Sequence, residues 1–265
     1  MKVMKNKLFF IFAPVFLFFS YVVGTGKLAA FTGNSVVASM IIDGVVIACG
    51  LLAFFVFRSE KQESEPFRPR AWAVLLWILA VMVLWFVTQC MSLCVTLRVE
   101  DTGLQAYNQV VSENIGLWII LAVCVAPAAE EVIFRGCMYS CWKRVFGMFS
   151  AAVLSSLAFA WIHGTLAHLP VAFLMGMFHV AVLEITGEFK YVVLSHMIYN
   201  FLSVGAVIPI GEDVQNGFLC SIWFNILIGV VILIGIICLY VWRMKIRKFL
   251  VTAGKLDYWN RKWDE

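Results

Sequence analysis

Runs of apolar residues long enough to cross a bilayer constrain this chain's fold more than any other feature. A spanning helix needs about 20 mainly apolar residues, and in lipid only helices and closed barrels satisfy their own backbone polar groups. The sequence offers eight such runs, at 8–25, 36–57, 71–97, 116–146, 148–165, 169–186, 191–210 and 218–242. Composition agrees: 63% of the 265 residues are hydrophobic and 14% charged, against about 45–50% and 25% in soluble domains. The predicted fold class is all-α, a polytopic membrane protein of about eight transmembrane helices. The apolar excess runs along the whole length, so one membrane domain is expected.

The loops set an orientation through their Lys and Arg content. With the N-terminus in the cytoplasm, seventeen of the 20 basic residues fall on the cytoplasmic side. Only Lys27 and Arg98 fall outside, and Arg135 lies within the fourth run. Both termini are therefore expected in the cytoplasm, with the chain in the cell (inner) membrane. The start, Met1 to Lys7 followed by an apolar run, resembles a signal peptide. No small-residue cleavage site clearly follows, so it is read as an uncleaved first helix.

The formal charge of +4 needs no nucleic acid. It comes from the positive-inside bias and a basic tail, Arg243 to Glu265, which could also touch anionic lipid heads. The loop Arg58–Arg70 is mixed in charge and reads as solvated. Nearly all eight cysteines fall in apolar runs, where they read as packing residues. The pairs Cys90/Cys94 and Cys137/Cys141 have helical spacing but no close histidine or CxxC partner, so packing is preferred to a metal.

Against this apolar background three polar patterns stand out: Glu130-Glu131-Val-Ile-Phe-Arg135, Phe159-Ala-Trp-Ile-His163 and His196-Met-Ile-Tyr-Asn200. A charged side chain at the bilayer centre costs about 2.5–3.5 kcal/mol or more, so its default reading is functional. Pro127 lacks an N–H, and a kink or local opening is expected just before the glutamates. Glu131 and Arg135 are i,i+4 neighbours and can pair, leaving Glu130 for chemistry. If a hairpin turns near Gly147, Glu130 and His163 are 17 and 16 residues from the turn, at nearly equal depth, and can face each other. His196 and Asn200 share a helix face, and two donors aimed at one point suit a developing oxyanion. Taken alone, this last pair reads more simply as an interhelical clamp. Asp43, Glu184, His168 and His179 lack a comparable pattern and are left outside the site, His179 because no polar partner is evident.

Together the three patterns resemble the CPBP family of intramembrane peptidases, the CAAX-protease and bacteriocin-processing, Abi-like group. Glu130, Glu131 and Arg135 match the EExxxR box, Phe159 and His163 the FxxxH box, and His196 and Asn200 the HxxxN box. Order and spacing match, as do the flanks Gly136 and Leu154-Ser155-Ser156-Leu157. The resemblance implies a catalytic core at 116–204, preceded by variable helices in 1–115 and followed by the last helix and tail in 205–265. It also implies helices arranged around a polar intramembrane cavity. Glu130 and His163 would polarise a water for attack on a peptide carbonyl. His196 and Asn200 would stabilise the oxyanion, and Glu131 and Arg135 would hold the site together.

The expected function is thus an intramembrane endopeptidase acting on a membrane-associated or lipidated peptide or protein. The family is described in both metal-dependent and metal-free terms. No HExxH pattern is present and Asn200 is a poor zinc ligand, so no cofactor is expected, with a zinc-dependent version as the alternative. A bacteriocin-immunity or scaffold protein of the same fold is a second reading. A proton- or ion-coupled transporter is a third, disfavoured because no internal repeat is seen.

Overall fold

The computed structural model describes residues 2–57, 71–96 and 115–205, all within one compact unit, Met1–Pro209. These residues are helical, with no strand among them. We label the helices α1 (Lys2–Thr32), α2 (Ser35–Phe57), α3 (Ala71–Thr96), α4 (Ile115–Phe146), α5 (Met148–Trp161), α6 (His168–Thr186) and α7 (Phe189–Gly205). The stretches Lys7–Thr32, Ser35–Leu52, Ala73–Ser92, Ile115–Phe146 and His168–Thr186 are long and apolar enough to cross a membrane. The chain is a multi-pass membrane protein. The predicted segment 218–242 and the basic tail lie outside the described residues, which therefore do not reach the count of eight.

The exposure pattern is that of a protein whose solvent is lipid. Phe9, Phe12 and Phe16 of α1 are 64%, 62% and 72% exposed, while Glu131, Arg135, His179 and His196 are at most 1% exposed. Water would reverse that sorting, whereas hydrocarbon drives charged groups inward to find one another. The apolar core lies beside the charges, where Phe134, Met138, Phe159 and Met175 pack together.

Two small residues fix how closely α4, α5 and α6 approach. Gly147 has φ +79°, a conformation that side chains disfavour, and it turns α4 sharply into α5. This is the hairpin the sequence predicts. Gly176 on α6 lies so near α5 that a Cβ there would sit 2.7 Å from the Ser156 Cβ. α5 is shorter than the predicted run 148–165. It ends at Trp161, and the turn that follows includes Gly164 at φ +64°.

α3 is tied to α7 by three polar contacts. Trp77 Nε1 donates to Ser195 Oγ at 2.8 Å, the Thr88 and Tyr199 hydroxyls bond at 2.6 Å, and Gln89 Nε2 donates to Ser203 Oγ at 3.1 Å. In an apolar solvent such bonds are among the few directional forces that register one helix against another.

α4 is not a regular helix. It opens into π-helical turns at Leu121–Val125 and again at Val132–Tyr139, on either side of Ala126–Glu131. The first opening is the disturbance expected at Pro127. The Ala126 N–H bonds to the Leu121 carbonyl in π register. The next bond in that register would run from residue 127 to the Ala122 carbonyl, and proline has no hydrogen to give.

The candidate active site

Four helices bring charged and polar groups to one place. α4 supplies Glu130, Glu131 and Arg135, α6 supplies His179, and α7 supplies His196 and Asn200; Phe159 and His163 come from the end of α5 and the turn after it. The centre is a single atom, Glu131 Oε1. It accepts from Arg135 Nη1 at 3.0 Å, His179 Nδ1 at 2.9 Å and His196 Nδ1 at 2.8 Å. The Glu131–Arg135 pairing read from their spacing is present.

An ionised carboxylate only accepts hydrogen bonds, so both imidazoles carry their hydrogen on Nδ1 when they donate to it. In neutral His196 the lone pair is then on Nε2, which lies 3.6 Å from Glu130 Oε2. Glu130 is the more accessible carboxylate, its side chain 14% exposed against 0% for Glu131. The order Glu131, His196, Glu130 thus leads from the sealed interior toward the accessible side. Asp43 on α2 accepts from the Tyr21 hydroxyl at 2.9 Å.

Phe159 explains its place one turn before His163. Its ring lies 4.8 Å from the His163 ring, 5.7 Å from His196 and 5.2 Å from Phe134, all edge-to-face. The Arg135 guanidinium sits over it at 4.5 Å. One apolar ring therefore spaces both boxed histidines and carries the buried cation on its face. His163 Nδ1 donates to the Phe159 carbonyl at 2.9 Å, which leaves its Nε2 as the acceptor.

Three readings from the sequence need correction. His196 and Asn200 do not converge on one point. His196 Nδ1 donates to Glu131, whereas Asn200 Nδ2 donates to the Ala122 carbonyl at 2.8 Å. Among the described residues the ion-pair contact of Glu130 is with His196 at 3.6 Å rather than with His163. His179 does have a polar partner and is part of the cluster. Its partner is 48 positions away in sequence, so no local spacing could show it. The usable signal was the imidazole itself, inside an apolar 19-residue helix. Two lesser polar residues are also paired. Glu184 takes Lys143 Nζ at 2.7 Å, and Asp43 takes Tyr21.

A metal ion fits this donor set poorly. Ligand atoms of Glu131, His179 and His196 lie within 4.8 Å of one another, close enough for one ion. However, the shared carboxylate oxygen also holds the Arg135 guanidinium, which opposes a second cation there. Where both imidazoles donate from Nδ1 to that oxygen, neither Nδ1 has a lone pair for a metal there.

Residues 112–202 match the sequence model of the Rce1-like family, described as type II CAAX prenyl endopeptidase Rce1-like. That stretch is similar to the type II CAAX prenyl endopeptidase family. The match takes in about a third of the chain, including all three boxes and His179. No curated protein and no solved structure matches the chain. In this Rce1-like core, α4 to α7 supply every site residue named above, and α1 to α3 pack around them.

Proposed function

We propose that this chain is a CAAX-type intramembrane protease, a metal-free endopeptidase that hydrolyses a peptide bond of a membrane-associated or lipidated peptide or protein. The observation that carries the reading is the 3.6 Å approach of Glu130 Oε2 to His196 Nε2. With Glu130 ionised and His196 in the Nδ1–H form these are two acceptors facing each other, which repel unless hydrogen lies between them. A water donating one hydrogen to each removes the repulsion. It also leaves its own lone pairs directed away, toward a carbonyl carbon.

Attack forms the carbon–oxygen bond while one proton of the water passes to His196 Nε2 and its other hydrogen stays bonded to Glu130. The His196 imidazolium that results is backed by Glu131, as a carboxylate backs histidine in other hydrolases. Collapse of the tetrahedral intermediate breaks the carbon–nitrogen bond, and the same proton goes to the leaving amine. His163, across the Phe159 ring, is the second imidazole near the reacting carbonyl. Asn200 acts on the shape of α4 rather than as the main oxyanion donor. The membrane is taken as the cell (inner) membrane with both termini cytoplasmic, and the site in its cytoplasmic half.

The test is cleavage of a quenched lipopeptide library by the purified protein, alongside Glu130→Ala and His163→Ala, each with and without a strong chelator. Cleavage lost in both variants and kept with chelator supports the reading. Loss with chelator and recovery with zinc overturns the metal-free part. A folded wild type that cleaves nothing shifts weight to a bacteriocin-immunity or scaffold role.

A further inference from the structure

His179 lies outside the three boxes, and the hydrolytic scheme gives it no step. It is nonetheless fully buried and touches the central atom of the site. Its second nitrogen, Nε2, is buried with no hydrogen-bond partner. The ring is therefore used through Nδ1 alone, and its role has to be sought at Glu131.

The Glu131–Arg135 pair has an unusual form. A carboxylate and a guanidinium in contact commonly form two parallel hydrogen bonds. Here they form one, between Nη1 and Oε1. Glu131 Oε2 and Arg135 Nε and Nη2 are all buried without partners. The fork is available but not made, because Oε1 is also held by His179 from α6 and His196 from α7. The two rings lie 4.9 Å apart at 41°, side by side against the same oxygen.

We propose that His179 is a positioning residue that holds Glu131 in this one-oxygen arrangement and thereby keeps His196 in the Nδ1–H tautomer, with Nε2 directed at Glu130. Without the His179 donor, the carboxylate turns toward the unused hydrogens of Arg135 and closes the fork. Its hold on His196 Nδ1 then weakens, and the His196 hydrogen redistributes between the two nitrogens. Only the catalytic consequence rests on the hydrolytic reading; the tautomer does not.

The chain has four histidines, which makes the tautomer directly measurable. Protein labelled with 15N-histidine in nanodiscs would be compared as wild type, His179→Phe, His179→Asn and His179→Gln, with peptide cleavage followed in parallel. The Asn amide places a donor near the Nδ1 position, whereas Gln places one near Nε2. We expect His196 as the Nδ1–H form in wild type and His179→Asn, and as a mixture in His179→Phe and His179→Gln. kcat should fall about tenfold or more in the latter two with KM little changed, and recover in His179→Asn. His196 remaining in the Nδ1–H form in His179→Gln would overturn the proposal, and this comparison stands even where His179→Phe does not fold. A tautomer that follows His179 in a protein that cleaves no peptide would refute the hydrolytic reading and leave the positioning role intact.

Discussion

Asn200 donates its side-chain amide to the Ala122 carbonyl at 2.8 Å, the oxygen that Pro127 leaves without a partner in the π-helical register of α4. A residue on α7 thus completes a backbone bond that α4 cannot make for itself. The opening in α4 that precedes Glu130 and Glu131 is held from outside.

This relationship makes the Asn200 clamp conditional on the proline. Asn200→Ala should destabilise the protein by about 1 kcal/mol or more, because it strands a partly buried carbonyl. In a Pro127→Ala background residue 127 regains an N–H, and the same substitution should cost clearly less. A double-mutant cycle on thermal unfolding in detergent measures the difference. Equal costs in both backgrounds would show that Asn200 does not stand in for the missing hydrogen.

The two glutamates should respond differently to the same change. Glu130→Gln alters a partly accessible group with one described ionic contact, so stability should change by about 1 kcal/mol or less while cleavage is abolished. Glu131→Gln disturbs an oxygen that takes three donors and should lower both stability and activity. Unfolding and cleavage measured on the same preparations separate the two cases.

Arg135 is buried, and its one described ion-pair partner is Glu131. Arg135→Met should cost about 3–5 kcal/mol because it leaves a buried carboxylate without its cation. Adding Glu131→Gln should recover part of that loss, since a neutral amide needs no counter-charge. The comparison is again of unfolding midpoints, with the double variant expected above the single one.

Close packing of α5 against α6 should be sensitive at Gly176. Gly176→Ala would place its Cβ 2.7 Å from the Ser156 Cβ, an overpacking expected to cost about 1–3 kcal/mol. Ser156→Gly in the same chain should relieve part of it. Little loss in Gly176→Ala would mean that α5 and α6 part easily.

Much of the fold was legible because lipid imposes a strong local rule. Long apolar runs must become helices, Pro127 interrupts the regular bonding of α4, and Gly147 turns the chain. The Glu131–Arg135 pair was legible for the same reason, since four residues on a helix define a contact. The expected run 148–165 overshoots α5 by four residues, because Ile162 to Thr165 form a turn with Gly164 at φ +64°.

The sequence by itself determined the helical membrane class, the α4–α5 hairpin and the chemical identity of six candidate site residues, all from interactions within one helix or one turn. The tertiary structure alone decided which groups share an atom. His179 reaches Glu131 across 48 positions and His196 across 65, and Asn200 turned from oxyanion donor to backbone clamp across 78. Helical spacing fixes neighbours three or four residues apart. Partners on different helices depend on how those helices rotate and approach, and Gly176, Phe159 and the two π-helical openings in α4 set that approach here.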